Sequence, residues 1–258
     1  MSADAKPVIE VEDVHVSFGE KHVLRGVNLS VTARETVALM GESGSGKTVL
    51  LRVILGLLAP DRGRVRLFGQ DIAGLSDDDL LPTRKRMSVV YQGGALFSGM
   101  NVAENIALEL REVLKLDREE VDARVKESLE AVGLGDVDPT TAPEELSGGM
   151  KKRLSVARAI APRPEVVFYD EPTSGLDPIN SSRILGLIAE LRDRYHTTSV
   201  IVTHDVQGAC GICDRIALLN EGVFAFDGPP AAFTASTEPV VATFRSLAAG
   251  PAAAAPAQ

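Results

Sequence analysis

The sequence feature that most constrains the fold is an eight-residue glycine-rich loop, GESGSGKT, at Gly41–Thr48. It follows a short apolar run typical of a buried strand, Thr36–Gly41, and precedes a segment, Lys47–Leu58, whose apolar residues recur at helical spacing. Glycines let the backbone turn tightly around an anion, and the free N–H groups of the following helix point towards it. The strand–loop–helix order therefore predicts a phosphate-binding loop, here called the phosphate loop, in an α/β fold.

The residues of the phosphate loop have separate expected roles. Lys47 is expected to reach the β- and γ-phosphates of a nucleotide and to act in catalysis, and Thr48 to ligate Mg²⁺. The alternative is an ordinary glycine-rich turn, which the position between a strand and a helix disfavours. The other residues expected to bind the nucleotide are Gly41, Glu42, Ser43, Gly44, Ser45 and Gly46.

A second group of candidate residues follows an apolar strand, VVFYDE, at Val166–Glu171. Asp170, at the end of the strand, suits a water-mediated contact with Mg²⁺. Glu171 is placed to polarise a water molecule aimed at the γ-phosphate. The alternative is a surface pair of acidic residues, which the presence of a phosphate loop in the same chain disfavours.

Two more polar residues follow apolar strands. His204 ends the strand of VTHD, and Gln92 follows MSVVY. In a parallel sheet, ligands bind outside the carboxyl ends of the strands, so both side chains are expected near the phosphate loop. His204 is predicted to contact the γ-phosphate, and Gln92 to take part in catalysis and bind the metal ion. Alone, each would be interpreted as an ordinary polar residue.

The bulk composition excludes several classes of function. With 27 basic and 36 acidic residues the 258-residue chain carries a net charge of −9, which argues against a nucleic-acid surface. No apolar run approaches the roughly 20 residues that span a bilayer. The N-terminal stretch MSADAKPVIEVED lacks the basic and apolar regions of a signal peptide. We therefore expect a cytoplasmic chain that reaches a membrane only through a partner.

The order of strand and helix patterns predicts a mainly parallel α/β sheet. Alternating apolar residues predict strands with one covered face at Val8–Phe18 and Val23–Val31, and an exposed-edge strand at Gly63–Ile72. The pattern also predicts two helices with no strand between them at residues 101–133, and a further helix from about Pro178 to Tyr195. The predicted divisions are a core at 7–93 and 163–230, a helical subdomain at 94–162, a C-terminal helical extension at 231–247, and a low-complexity, disordered tail at 248–258.

A second glycine-rich stretch, LSGGM at Leu146–Met150 and here called the signature loop, precedes a helical pattern but contains no lysine. The chain thus has five elements in order: GESGSGKT, Gln92, LSGGM, VVFYDE followed by SGLD, and His204. Across about residues 7–230, this order resembles that of the ATP-binding-cassette (ABC) ATPases.

The resemblance implies a phosphate-loop core of ABC type with an antiparallel β flank and an α-helical subdomain. It also implies two ATP molecules, with Mg²⁺, sandwiched in a head-to-tail homodimer. The signature loop of one subunit then completes the ATP site of the other, with Ser147, Gly148 and Gly149 binding the γ-phosphate at a helix N-terminus. No second lysine is needed there, because the partner provides its own Lys47.

Further residues take roles from the same resemblance. Phe18 matches the position where an aromatic ring stacks on adenine; many relatives have Tyr there, so the stacking is kept and a hydroxyl is lost. Asp177, with Leu176, lies in a loop that couples the two ATP sites. Met150 replaces the Gln common in the family, and a thioether cannot reproduce the hydrogen bonds of an amide.

Three stretches resemble ATPases of Mce/Mla-type lipid transporters more specifically: Tyr91–Glu112, LSGGMKKR and Ser174–Ile179. This resemblance implies a subunit that drives two permease subunits, works with an Mce-domain or other lipid-binding subunit, and lies at the cytoplasmic face of the inner membrane. The alternatives are an importer ATPase for another small substrate, a module that closes on ATP without hydrolysis, and a non-transport ABC ATPase. Glu171 favours hydrolysis.

The cysteine pair, the two basic runs and one apolar cluster each have a functional and a structural interpretation. Cys210 and Cys213 could form a redox pair or half of a zinc site, but two small apolar residues on a helix are favoured. The basic runs 84–86 and 151–153 could contact lipid headgroups, with a solvated helix face favoured. The apolar cluster of Ala95, Leu96, Phe97 and Met100 is either a permease docking surface or a cap of the helical subdomain's own core.

Overall fold

The computed structural model describes residues 6–248. The chain divides into two compact units: the first comprises Met1–Leu80 and Ile201–Gln258, and the second comprises Leu81–Val200. The boundaries predicted for the core, the helical subdomain and the C-terminal extension differ from those of the two units, and these divisions stay predictions. Most of the predicted tail, residues 249–258, lies outside the described residues.

The strands and helices lie in the following places. Within residues 6–248 the strands are β1 (Pro7–Phe18), β2 (Lys21–Thr32), β3 (Thr36–Met40), β4 (Arg62–Leu67), β5 (Gln70–Asp71), β6 (Met87–Val90), β7 (Val166–Asp170), β8 (Thr198–Val202), β9 (Arg215–Asn220) and β10 (Val223–Gly228). The α-helices of this part are α1 (Lys47–Ile54), α2 (Asp77–Arg84), α3 (Val102–Glu112), α4 (Arg118–Ala131), α5 (Gly148–Ile160), α6 (Pro178–Tyr195), α7 (Val206–Ile212), α8 (Pro230–Ala235) and α9 (Pro239–Ala248). Among them, none has both the length and the apolar character needed to cross a bilayer.

The first unit contains a four-stranded antiparallel sheet in the order β2-β1-β4-β5. Along β1 the buried residues change from odd positions, such as Val11, to even positions, such as Val14. A register shift between these two residues explains the change, because one extra residue moves the following side chains to the opposite face. The predicted antiparallel flank therefore corresponds to this sheet.

The predicted exposed-edge strand at Gly63–Ile72 is wrong in detail. The segment forms a hairpin in which β4 lies between β1 and the two-residue strand β5, so β5 and not β4 ends the sheet. The turn between them contains Phe68 and Gly69, with φ of 51° and 82°. Two successive positive φ values are typical of tight hairpin turns. Because apolar and polar residues alternate on both sides of this turn, the sequence pattern resembles that of one continuous strand.

The first unit also holds the strands around the phosphate loop. β3 pairs in parallel with β9, and β9 pairs with β10 in antiparallel orientation. All five residues of β3 are buried, as predicted for a strand covered on both faces. β8 begins in the second unit and ends in the first. At its end, the N–H of Thr203 donates to the carbonyl of Leu39 in β3 at 3.2 Å.

The second unit combines parallel strands with a helical region. β6 and β7 pair in parallel, and the N–H of Thr198 donates to the carbonyl of Glu165 at 2.8 Å. The two helices predicted at 101–133 are confirmed as α3 and α4. A capping box between Asn101 and Glu104 fixes the start of α3, and Asp117 caps α4.

The helix after the phosphate loop is shorter than predicted. The periodicity extended to Leu58, but α1 ends at Ile54 and Leu57 is 57% exposed. Gly56, with φ of 66°, adopts the left-handed conformation that commonly ends helices. The apolar residues therefore keep helical spacing as far as Leu58, although the helix itself ends at Ile54.

Candidate active site

The phosphate loop is closed by its own lysine. Lys47 donates from Nζ to the carbonyl oxygens of Gly41 and Glu42 at 2.8 and 2.9 Å. A Cβ on Gly41 would lie 2.4 Å from the carbonyl oxygen of Leu219 and 2.6 Å from Ser45 Oγ, and Gly41 has φ of 151°. Only glycine fits there, because the conflict at Leu219 is with backbone.

The same loop has the features expected of a phosphate cradle. Gly46, with φ of 109°, is the N-cap of α1, so no side chain caps the first N–H groups of that helix. Ser45 Oγ is buried and has no hydrogen-bond partner among the described residues. A buried polar atom of this kind is costly unless a ligand or water completes it. The loop therefore fits a bound phosphate group.

Phe18 and His204 belong to the same unit as the phosphate loop. Phe18 ends β1 and is 54% exposed, so its ring can stack on a ligand. His204 is exposed and directly follows Thr203, which is hydrogen-bonded to Leu39 near the carboxyl end of β3. The structure thus places His204 and the phosphate loop after the carboxyl ends of neighbouring strands, the arrangement that the sequence predicts.

In the second unit, Asp170 is the last residue of β7 and Glu171 directly follows the strand, and both are partly buried. Glu171 has φ of 48°, a left-handed conformation that is uncommon for a residue with a Cβ. The N–H of Ser174 donates to the Glu171 carbonyl at 3.1 Å and closes the turn after the strand. The chain therefore turns directly after β7, with Glu171 as the first residue of the turn.

Gln92 lies next to two residues that sequence reasoning did not assign to the site. Its Nε2 donates to Ser174 Oγ at 3.0 Å, and its carbonyl oxygen accepts a hydrogen bond from Lys152 Nζ. Burial lowers the pKa of Lys152, while the charges of Glu171 and Asp170 raise it. The second unit thus brings Gln92 and Lys152 into the surroundings of the two carboxylates.

Lys152 corrects the interpretation of the basic run 151–153. A solvated helix face was favoured, but Lys152 is partly buried and hydrogen-bonded to the backbone of Gln92. Its partner lies 60 residues away along the chain, so local sequence gave no signal for the contact. In the other basic run, Arg86 forms two hydrogen bonds with Glu165, at 2.6 and 2.9 Å, beside the paired strands β6 and β7.

The signature loop has different properties from the phosphate loop. Ser147 is the N-cap of α5 and accepts a hydrogen bond from the N–H of Met150 at 3.3 Å. Gly148 and Gly149 have ordinary helical conformations, and a Cβ on either would have nothing within 4 Å. Among the described residues, neither backbone conformation nor packing therefore requires glycine at these two positions.

Asp177 has a clear local role. It is the N-cap of α6, and its Oδ1 accepts hydrogen bonds from the N–H groups of Ile179 and Asn180, both at 3.0 Å. The hydrogen bonds from Asn180 hold the pKa of Asp177 below its usual value. The predicted coupling role of Asp177 and Leu176 stays a prediction.

Cys210 lies within α7, and Cys213 follows it and is buried; within residues 6–248 neither forms a disulfide. Within the part of the chain that the structure describes, no group of three or more His, Cys, Asp or Glu residues could hold a metal ion by itself. The position of Cys210 on a helix after His204 agrees with the favoured interpretation.

The comparisons with known proteins define the class. The family model described as ABC transporter matches residues 24–174, more than half of the chain. The chain therefore belongs to the ABC transporter family, as the order of its motifs predicts. It is an ATPase of that family, an ATP-binding subunit of the kind that powers a transporter.

Two curated relatives are similar over most of the chain. The intermembrane phospholipid transport system ATP-binding protein MlaF of Escherichia coli is 38% identical over 95% of this chain and 90% of MlaF. The methionine import ATP-binding protein MetN of Brucella abortus is 39% identical over 88% of this chain, which spans 61% of MetN. These relatives serve different substrates, so the prediction of lipid transport remains open.

Two solved structures confirm the predicted ABC-type fold. The chain is similar to cbiO1 of Clostridium perfringens, part of the ABC transporter complex cbiONQ, with a TM-score of 0.83 and 29% identity over 90% of this chain and 92% of that one. It is also similar to the ATP-binding cassette MJ0796, solved as a dimer in a post-hydrolysis state bound to ADP and Pi. The TM-score is 0.77, with 31% identity over 86% of this chain and 98% of that chain.

Proposed function

We propose that this chain hydrolyses ATP to power a transporter that moves phospholipids or related lipids across a bacterial envelope. The observation that carries this proposal is the similarity to MlaF, which extends over 95% of this chain. The stretches Tyr91–Glu112, LSGGMKKR and Ser174–Ile179, which resemble lipid-transport ATPases, support it.

In this proposal each residue of the candidate site has a separate role in binding or hydrolysing ATP. The phosphate loop and Lys47 bind the phosphates, Phe18 stacks on the adenine, and His204 contacts the γ-phosphate. Glu171 polarises the attacking water, and its hydrolytic role depends on its carboxylate. Thr48, Gln92 and Asp170 would hold a Mg²⁺ ion, which when bound neutralises charge on the phosphates.

We further propose that two copies form a head-to-tail dimer with two shared ATP sites. Gly148 and Gly149 lie at the first turn of α5, where no atom of the part of the chain that the structure describes fills the position of an added Cβ. Glycine lowers helix stability relative to alanine, so its use there needs a reason outside the chain's own packing. A phosphate held by the second copy supplies one, since it can approach the bare backbone N–H groups. The MJ0796 cassette, solved as a dimer, supports this assembly.

The membrane partners in this proposal are two permease subunits and an Mce-domain or other lipid-binding subunit, with no nucleic acid. The chain would then lie at the cytoplasmic face of the inner membrane, attached through the permease. Phe97 is 47% exposed and Ala95 is also exposed, while Leu96 and Met100 are partly buried. An exposed aromatic residue beside apolar neighbours suits a protein interface, which supports docking at this cluster.

A second candidate function is import of an amino acid. It is favoured by the 39% identity to MetN, which is as high as the identity to MlaF. Both functions use the same ATP chemistry, so the site residues do not separate them. The substrate must be identified through the partner subunits.

The experiment that tests the lipid proposal is purification of the full chain from its native membrane in mild detergent. Mass spectrometry then identifies the co-purifying subunits and small molecules. We expect a permease, a lipid-binding subunit and phospholipids enriched over a purification of the Leu96→Asp variant, which places a charge in the proposed docking cluster, washed with the same detergent. Recovery of an amino-acid-binding subunit, with ATP hydrolysis stimulated by methionine, would reject lipid transport and support the second candidate.

A further inference from the structure

The segment between Gln92 and α3, residues 93–100 and here called the Gln92 loop, is held by an arginine from α5. Arg158 donates from Nη1 to the carbonyl oxygen of Ala95 at 2.6 Å and from Nη2 to that of Gly94 at 2.7 Å. Its guanidinium also lies 5.7 Å from the centroid of the Phe97 ring. A single side chain of α5 therefore contacts three residues of the Gln92 loop, through two charge-assisted hydrogen bonds and a cation–π contact.

The backbone under Arg158 is in an unusual conformation. Gly94 and Ala95 have φ of 76° and 46°, and for Ala95 this left-handed conformation is unfavourable. The loop also packs against α5, because a Cβ on Gly94 would lie 3.5 Å from Cβ of the buried Ser155. The two hydrogen bonds from Arg158 stabilise a local conformation that the loop sequence alone does not favour.

The Gln92 loop is also held at its two ends. At the far end, the fully buried Asn105 of α3 accepts from the N–H of Phe97 at 2.8 Å and donates to the carbonyl oxygens of Phe97 and Met100 at 3.1 and 3.0 Å. At the near end, Lys152 of α5 donates to the carbonyl of Gln92. Contacts at both ends and in the middle predict that the loop moves with these helices as one body.

We propose that Arg158 is a positioning residue that locks the Gln92 loop to α5, the helix that begins at Ser147. A displacement of the loop is then transmitted along α5 to the signature loop, and Gln92 and Ser147 move together. The roles of Gln92 and Ser147 rest on the proposed function. The lock itself rests on the hydrogen bonds between Arg158 and the loop.

Amide hydrogen exchange of the full chain tests the lock without requiring ATPase activity. In Arg158→Gln, the hydrogen-bonded amides of Gly94, Phe97 and Met100 should exchange at least about tenfold faster. The amides of β3 should be unchanged. Arg158→Lys, which keeps the charge and has one donor nitrogen in place of the two that contact the loop, should restore part of the protection. Arg111→Gln, which removes an exposed arginine of α3, is the matched control and should exchange like the unmodified chain.

A kinetic readout separates positioning from a purely structural role. Arg158→Gln should lower kcat for ATP several-fold, on the order of three to ten, and leave KM within about twofold, because the phosphate loop is untouched. Arg158→Lys should recover at least half of kcat. Unchanged exchange in the Gln92 loop, or a uniform rise across both units, would overturn the proposal. A lack of hydrolysis by the unmodified chain would count against the proposed function only, since the exchange result still decides the lock.

Discussion

The two glycine-rich loops of this chain have similar compositions and opposite structural requirements. In the phosphate loop, Gly41 is required by the chain itself, because a Cβ there would lie 2.4 Å from a backbone oxygen. In the signature loop, Gly148 and Gly149 have helical conformations and open surroundings. The fold requires the first glycine, whereas no contact or backbone conformation within residues 6–248 requires the other two.

This difference shows how glycines that serve the fold can be distinguished from those that serve a ligand. Lys47 donates to two carbonyls of the phosphate loop, so the conformation of that loop is held within its own unit. The signature loop has only a serine cap and bare backbone at the first turn of α5. It is best explained as part of a site that another molecule completes, which is the basis of the proposed dimer.

The largest expected effect is on ATP hydrolysis, and it comes from a substitution outside both loops that leaves ATP binding in place. Glu171→Gln keeps the size of the side chain and removes its charge, so ATP hydrolysis should fall by at least about a hundredfold. ATP binding should persist and the dimer should become long-lived. Phosphate release measures the first effect, and size-exclusion chromatography with ATP measures the second. Near-normal turnover would show that another residue activates the water.

The next largest effect tests whether position 41 must be glycine. Gly41→Ala should lower ATP affinity at least about tenfold and the free energy of unfolding by about 1–3 kcal/mol, because its Cβ meets the backbone at Leu219. Gly44→Ala is the matched control, since Gly44 has φ of 83° but nothing within 4 Å of its Cβ position. Titration with a fluorescent ATP analogue and urea unfolding measure both variants. Equal effects in the two would mean that backbone strain alone accounts for the requirement.

A crosslink tests whether the two loops meet across a dimer. In a Glu171→Gln chain lacking Cys210 and Cys213, we combine Ser45→Cys with Gly148→Cys. ATP should increase the yield of disulfide-linked dimer over the nucleotide-free sample, since bound nucleotide brings the two loops together. Each cysteine alone is the control. Bonds formed only within single chains would contradict the shared site.

The smallest expected effect concerns the signature glycines. Gly148→Ala should leave the free energy of unfolding within about 0.5 kcal/mol of the unmodified value, or raise it slightly, since alanine favours helix. It should nevertheless weaken ATP-driven dimer formation, because a methyl group then occupies the approach to the N–H groups. Urea unfolding and light scattering with ATP measure the two properties. A marked loss of stability would indicate that Gly148 serves the fold after all.

The parts of the fold that were predictable are those with local causes. The helix α6 was expected at Pro178–Tyr195 and has those bounds. Its start has a proline in the first turn and the Asp177 cap, both of which can be recognised in sequence. The end of the strand that carries Asp170 was also located correctly, because it follows a short apolar run. The strand before His204 was located, but it ends at Val202, two residues earlier than predicted.

The parts that were missed depend on contacts between distant residues. Lys152 contacts Gln92 across 60 residues, and Arg158 contacts Ala95 across 63. No local pattern distinguishes these basic side chains from solvated ones on the same helix. The early end of α1 had a local cause at Gly56, but continuing apolar periodicity obscured it.

The left-handed conformation of Glu171 has a consequence for how this protein responds to selection. A side chain with a Cβ is unfavourable at φ of 48°, by about 1 kcal/mol relative to glycine. Gly and Asn adopt this conformation more readily, yet neither can activate water. Under the role proposed for Glu171, selection for thermal stability alone would therefore drive position 171 towards an inactive enzyme, whereas selection for turnover would keep the less stable residue. At this position, stability and activity favour different amino acids.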